Sequence, residues 1–182
     1  GDEQPDPSIW AFPTTWLDGD QRVEVGARTL DIVHTPGHTP GHYVYAEQAA
    51  GLLFAGDHVL PTITPSIGFE PVLSPDPLGA FLRSLALVRA RPDARLLPAH
   101  GPVADSVHAR VDELVAHHGR RLDEAHRLLE RAVARYHAVL GDDHPFTLAA
   151  GADLAGVVAE VGADDECAAE RRRTTTLRRR HC

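Results

Sequence analysis

Apolar and polar residues alternate early in the chain, and this alternation indicates β-strands. Val23 and Val25 have polar neighbours, and the apolar pattern resumes at Leu30 after a turn near Gly26. A period of two residues places one face of a strand against a core. The pattern therefore predicts a β-hairpin whose second strand runs into the loop at residues 34–42.

A second pair of strands is predicted directly after that loop. Residues 43–45 form one strand, a turn follows near residues 49–51, and a nearly continuous apolar run covers residues 52–55. The run stops abruptly at Gly56-Asp57-His58, so polar chemistry begins where the strand ends. Strand ends hold side chains rigidly while leaving them open to a ligand, and functional sites are often built there.

The remainder of the chain is predicted to be mainly helical. Asp76 is the expected N-cap and Pro77 the first residue of a helix. Its apolar stripe consists of Leu78, Phe81, Leu82, Leu85 and Val88. A short buried strand is expected to end at Pro98 and to carry His100 at its tip, and helix is predicted from Asp105 to about Leu140 with a break near Gly119.

Length and charge narrow the possibilities further. The 182 residues, 43% of them hydrophobic, suffice for one domain with or without a helical appendage. Six of the 18 basic residues lie at 171–180, so residues 1–170 hold 12 basic against 26 acidic residues. Because binding to phosphates needs clustered positive charge, we do not expect a nucleic-acid partner. No apolar run approaches the roughly 20 residues of a membrane span, so we expect no membrane association and a cytoplasmic location.

The segment "HTPGHTPGH" at residues 34–42 spaces three histidines four residues apart, as on one face of a helix. A helix is excluded because proline and glycine separate the histidines. Cysteine ligands are not indicated either, since Cys167 and Cys182 form no CxxC pair. Three loops that each follow a predicted strand instead offer one ligand apiece: His38, Asp57 and His100. Imidazole nitrogen and carboxylate oxygen suit zinc and related ions.

These motifs, "TPGHTPGH", then an apolar strand ending in "GD", then "AHG", resemble the metallo-β-lactamase fold superfamily, in particular its glyoxalase II and lactamase-like hydrolases. The resemblance implies an α/β fold, the αββα sandwich. It also implies metal ligation by His38 and His100, with Asp57 bridging two ions and acting in catalysis. His34, His42 and His58 are expected to support these ligands or to face the substrate. The expected cofactor is zinc, one or two ions, with manganese or iron as alternatives.

The reaction implied by the resemblance is hydrolysis of an ester, thioester or related bond of a small-molecule substrate by a metal-bound hydroxide. The HxHxDH motif, which supplies further ligands in that superfamily, does not occur in this sequence. We therefore expect only the second half of the fold, one weakly held metal, and doubtful activity of this chain alone. A protein partner or a second chain completing the fold is a corresponding expectation.

The expected organisation is a lead-in at 1–20, a metallo-β-lactamase-like domain at 21–125, a helical pair at 126–166 and a basic disordered tail at 167–182. The helical pair resembles a tetratricopeptide repeat of the kinesin-light-chain type in its "LGDDHPFTLAA" link. Its two expected apolar faces contain Leu128, Leu129, Val133, Tyr136 and Leu140 on one helix, and Leu148, Leu154 and Val158 on the other. The structural alternative is an ordinary pair of covering helices. The functional alternative is a non-catalytic scaffold that binds a partner through this region. His117 and His118 are expected to be solvated.

Overall fold

The computed structural model of the chain describes residues 13–68 and 74–158. The lead-in up to residue 12 and the predicted basic tail at 167–182 lie outside the described residues. The elements, in chain order, are β1 (Gln21–Val25), β2 (Arg28–His34), β3 (Tyr43–Glu47), β4 (Leu52–Gly56), α1 (Pro77–Ala90), β5 (Arg95–Pro98), α2 (Val107–Leu140) and α3 (residues 145–158).

The five strands form one sheet in the order β1-β2-β3-β4-β5. The first four strands pair in antiparallel fashion, and β5 is parallel to β4, with α1 as the crossover between them. Because β2, β4 and β5 run in the same direction, their carboxyl ends lie at one edge of the sheet. The loops that carry the predicted ligands therefore all emerge at that edge.

Helix α1 begins as the sequence predicts. The Oδ1 atom of Asp76 accepts a hydrogen bond of 2.8 Å from the amide of Gly79, and Pro77 is the first helical residue. The buried stripe consists of Phe81, Leu82, Leu85 and Val88, and Leu78 is partly buried against the same core. Proline at this position leaves no helical hydrogen bond unmade, which explains why the helix starts here.

One face of the sheet packs on the two long helices. That face contributes Val33, Val44, Ala46, Leu53, Ala55 and Leu96, and α2 contributes Val107, Val111 and Leu114. Several of these side chains are fully buried, as is Phe81 of α1, so truncating one such leucine to alanine is expected to cost about 2–5 kcal/mol.

The opposite face of the sheet is also apolar. Ile32, Tyr45, Phe54 and Leu97 are paired in register across four strands, and neighbouring core residues point the other way. Phe54 remains 40% exposed on this face. A sheet that is apolar on both faces is typical of the inner layer of a layered α/β fold.

Helix α2 is continuous over 34 residues, so the predicted break near Gly119 is wrong. It begins at the N-cap Ser106, whose hydroxyl oxygen accepts a hydrogen bond of 3.0 Å from the amide of Ala109. A single glycine costs a helix only about 1 kcal/mol. Leu114 and Leu122 are buried on either side of Gly119 and hold both halves of the helix on the core, which outweighs that cost.

Part of the two predicted apolar faces of the helical pair is open to solvent. Leu128, Leu140, Leu148 and Val158 are between 40% and 61% exposed, whereas Leu129, Val133 and Leu154 are partly buried. Thr147 and Ala150 are the buried residues of α3. Leu122 and Val157 instead join the main core. None of the described helices is both long and apolar enough to cross a lipid bilayer.

Candidate functional site

The histidine loop at residues 35–42 is a closed loop on top of α1. Its ends meet where the amide of Thr35 donates to the carbonyl of His42 at 2.9 Å. The hydroxyl of Ser84 in α1 donates to the carbonyl of Pro36 at 2.7 Å. Gly37 has a φ of 139°, and a Cβ at this position would collide with the backbone of Phe81. Only glycine lets the loop lie this close to the helix.

His38 is oriented by the loop that follows β4. Its Nδ1 atom lies 2.7 Å from the carbonyl oxygen of Ser66, which can only accept, so Nδ1 carries the proton. The Nε2 atom then has a free lone pair, and it lies 3.9 Å from Oδ2 of Asp57. Outer contacts of this kind fix the orientation of histidines that bind metals.

His42 holds the backbone at Asp57. The amide of Asp57 donates to Nε2 of His42 at 3.2 Å, so the proton of this ring resides on Nδ1, which lies 2.9 Å from the hydroxyl of the buried Thr35. Burial lowers the pKa of His42, and the neighbouring His38 lowers it further. A neutral ring matches both contacts. His42 thus supports the candidate ligand and does not face it with a free lone pair.

His100 completes the group at the tip of β5. The amide of Ala99 donates to the carbonyl of Gly56 at 2.9 Å, which keeps this loop beside the end of β4. The Nε2 atom of His100 lies 3.4 Å from Oδ1 of Asp57, and the His100 side chain is 71% exposed. Asp57 therefore faces one imidazole with each carboxylate oxygen.

These donors fit a metal in their chemistry, but they do not form a ready-made cage. Two ligands of one tetrahedral zinc lie about 3.4 Å apart, given bond lengths of about 2.0–2.1 Å. The separation of His100 and Asp57 matches this value, and that of His38 and Asp57 is wider. Within residues 13–68 and 74–158, no three histidine, cysteine or carboxylate side chains are placed to hold an ion as they stand. The ligand roles of His38, Asp57 and His100 stay predictions.

Two further histidines near the site, His34 and His58, contact the surrounding fold and do not face Asp57. His34 closes the base of the loop, because its Nε2 atom donates to the carbonyl of Pro40 at 2.8 Å and its amide donates to Asp20. His58 is completely buried, which argues against the substrate-facing one of its two expected roles, and its support of the ligands stays a prediction. Its position after Asp57 turns the ring into the core, with the ring of Phe81 centred 5.0 Å away.

Burial, together with the nearby His42 and against the opposing effect of the Ser84 backbone, lowers the pKa of His58 to about 3. Neither ring nitrogen of His58 makes a hydrogen bond of normal geometry with another described residue. His118 is also not simply solvated as expected. Its ring lies 5.5 Å from that of Phe81, its Nε2 atom is buried, and burial lowers its pKa.

Comparison with known proteins decides the family. A family model described as the metallo-beta-lactamase superfamily matches residues 2–100. The chain belongs to the metallo-beta-lactamase superfamily. A second model, described as a tetratricopeptide repeat, matches residues 117–146, which confirms the predicted similarity of the helical region. In the structure most of that match lies in the continuous helix α2.

Relatives and solved structures of this metallo-beta-lactamase superfamily chain agree. The "Beta-lactamase-like protein 2 homolog" of Caenorhabditis elegans is 33% identical over 115 residues, which are 63% of this chain and 36% of that protein. The "Atrochrysone carboxyl ACP thioesterase AgnL7" of Paecilomyces divaricatus is 28% identical over 63% of this chain and 34% of its own length. The chain thus matches about a third of the length of these relatives.

Two crystal structures share the fold of the described region. A metallo-beta-lactamase family protein from Thermus thermophilus is 34% identical, with a TM-score of 0.56 over 62% of this chain and 38% of that one. A beta-lactamase domain protein from Burkholderia ambifaria is also 34% identical, with a TM-score of 0.57 over 65% and 38%. The predicted α/β class and the superfamily are therefore confirmed.

Proposed function

We propose that this chain contributes part of the metal centre of a hydrolase that cleaves an ester, thioester or related bond, with zinc as the expected ion. The observation that carries the proposal is the position of Asp57, whose two carboxylate oxygens face His38 and His100 at 3.9 and 3.4 Å. A relative whose name describes a thioesterase supports the thioester among these bonds.

Each residue has a distinct task in this proposal. His38 keeps its Nε2 lone pair available because its Nδ1 proton is bound to Ser66. Asp57 supplies the negative charge between the imidazoles, and His42 holds its amide in place. His100 is exposed and can turn toward an ion without disturbing the core. A bound divalent ion would supply a Lewis acid that polarises a carbonyl group and lowers the pKa of water to about 7.

Three donors are fewer than the four of a closed zinc site, and a pair of ions needs more. Full activity in this proposal therefore depends on further ligands, supplied by a longer form of the protein or by a partner chain. The chain alone is expected to bind metal weakly.

Metal titration tests the proposal directly. Metal-free protein is titrated with Zn²⁺, Co²⁺ or Mn²⁺, and bound metal is counted by mass spectrometry. We expect about one equivalent at saturation, with affinity lowered at least tenfold in H38A and in H100A. H137A is the matched control, since His137 pairs with Asp142 at the far end of α2. Less than a tenth of an equivalent in the wild type, or equal binding by all variants, would contradict the metal centre.

Hydrolysis is measured on simple acyl thioesters and esters with the metal present. D57N should reduce any metal-dependent rate by at least about 100-fold, because it removes the charge between the two imidazoles. Unchanged rates in D57N would exclude this site as the source of activity.

A non-catalytic interaction protein is the second candidate. It is favoured by the exposed side chains of Val139, Phe146 and Leu148 in the tetratricopeptide-like region, which are 72%, 64% and 61% exposed. This alternative predicts no metal binding, together with a specific partner whose binding is lost in F146S and retained in H38A. A partner equally well bound by F146S would remove its support.

A further inference from the structure

The loop that follows Asp57 touches all three candidate ligand positions. It starts at Asp57 itself and, at Ser66, accepts the hydrogen bond that orients His38. Between these points it passes the His100 loop, where a Cβ added to Gly101 would lie 3.0 Å from the side chain of Pro61. Whatever fixes residues 60–63 therefore acts on the whole candidate site.

Arg110 in the first turn of α2 is the side chain that reaches this segment. Its Nε atom donates to the carbonyl of Leu60 at 2.6 Å, and its Nη2 atom donates to the carbonyl of Ile63 at 3.0 Å. Its Nη1 atom donates to Glu113 at 2.8 Å. The Arg110 side chain is only 17% exposed and its hydrogen bond to Leu60 is partly buried, whereas its partner Glu113 is 67% exposed.

The location of Arg110 is unusual for a cation. The first turn of a helix carries the positive end of the helix dipole, which disfavours a positive charge there. The first turn of α2 contains no acidic residue of its own, and the carboxylate of Asp93 accepts a hydrogen bond of 3.0 Å from the amide of His108 in that turn. The two loop carbonyls and the ion pair with Glu113 offset this cost. A planar guanidinium can satisfy two carbonyls and a carboxylate at fixed angles, whereas a lysine ammonium is a single point charge.

We infer that Arg110 is a positioning residue for the candidate metal site, an inference that rests on the proposed function. Its guanidinium clamps residues 60–63, and through this segment it sets the orientation of His38 and the spacing of the Asp57 and His100 loops. It touches none of the reacting groups.

The chain offers matched controls for this inference. Arg121 lies on the same helix and forms an ion pair of 2.7 Å with Glu124, three residues on, without any hydrogen bond to the loop among the described contacts. R110M removes the loop contacts and the ion pair, whereas R121M removes only an ion pair of the same i,i+3 spacing at a more exposed position. E113Q weakens the ion pair of Arg110 and leaves both carbonyl contacts in place. R110K retains the positive charge but lacks the planar guanidinium that bonds both carbonyls.

The first measurement is amide hydrogen exchange by NMR. The amide of Gly68 donates to the carbonyl of Gly37 at 3.1 Å and reports on the far end of the loop. We expect R110M to exchange this amide at least about tenfold faster and to shift the ring signals of His38, with R110K intermediate. R121M and E113Q should stay within about twofold of the wild type. Equal exchange and unchanged His38 signals in R110M would overturn the inference.

The second measurement is Co²⁺ affinity with its visible absorption spectrum. R110M should bind about tenfold more weakly with an altered spectrum, while R121M matches the wild type. Faster exchange with unchanged affinity and spectrum would reduce Arg110 to a merely structural role and overturn its role in the site. If the wild type itself binds no metal, the proposed function fails, and the exchange and His38 signals alone decide whether Arg110 positions the loop.

Discussion

Gly56 lies directly against the imidazole of His42. The φ of Gly56 is +53°, and a Cβ at this position would lie 2.7 Å from the Nε2 atom that accepts the Asp57 amide. The end of β4 and the histidine loop are thereby locked together through a contact that has no room for a methyl group.

G56A is expected to destabilise the fold by about 2–4 kcal/mol, from left-handed backbone strain together with displacement of His42. Urea denaturation measures this loss. G51A is the matched control, because Gly51 has a φ of +63° with nothing within 4 Å of an added Cβ, so it shares only the backbone strain. Equal losses in the two variants would show that the His42 contact carries no energy.

Replacing the buried Thr35 by valine removes the hydroxyl that faces Nδ1 of His42. We expect T35V to cost about 1–3 kcal/mol, because the polar ring nitrogen is left without its partner. The ¹⁵N chemical shifts of His42 should report a proton on Nδ1 in the wild type. A proton on Nε2 would contradict the assigned hydrogen bond from the Asp57 amide.

Stability should fall as the pH drops from about 6.5, because His58 stays neutral in the core. The folded pKa of His58 is lowered to about 3, so only the unfolded chain takes up a proton between that value and about 6.5. At pH 4.5 the resulting loss is on the order of 2 kcal/mol. H58L should reduce this slope in denaturation curves between pH 4.5 and 7, and His42 and His118, whose pKa values burial also lowers, should account for the remainder. Equal slopes in both proteins would exclude His58 as its source.

Asp31 produces a separate pH effect at lower pH. Arg22 bonds to one of its oxygens at 2.8 Å and Arg91 to the other at 2.6 Å, and together they hold its pKa below the usual value. Its stabilisation is therefore present above the ordinary aspartate pKa and is lost as the pH falls through the lowered value. D31N should cost about 1 kcal/mol at pH 7, given the exposure of Arg22. Thermal unfolding at pH 7 and pH 2.5 measures this, and the difference between D31N and the wild type should shrink at the lower pH.

Much of the fold could be predicted from local sequence signals. The alternation around Val23 and Val25 identified the hairpin, and Asp76-Pro77 marked the start of α1. Gly119 misled the prediction of α2, because a glycine is a local signal whereas the burial of Leu114 and Leu122 that overrides it is tertiary. The faces of the helical pair were assigned by periodicity alone, which cannot show which stripe finds a partner.

Only the polar residues that follow the strands could be predicted as members of the candidate site. His38, Asp57 and His100 stood out because each follows a strand. Ser66 and Arg110 carry no such signal, since their contacts join segments far apart in the chain, and the contact of Thr35 with His42 depends on the folded shape of the histidine loop. The position of His58 directly after Asp57 predicted that the two side chains point to opposite sides of the chain. It did not predict the full burial of His58, which depends on Phe81 in the distant helix α1.

The continuous helix α2 connects the candidate site to the tetratricopeptide-like segment. Arg110 in its first turn is hydrogen-bonded to the loop that follows β4, and the tetratricopeptide-like segment occupies its other end. At 1.5 Å per residue the helix spans about 50 Å, without a joint at Gly119. Residues 117–140 therefore continue the same helix as Arg110. Their orientation relative to the carboxyl ends of the strands is set by the helix axis and not by a flexible linker.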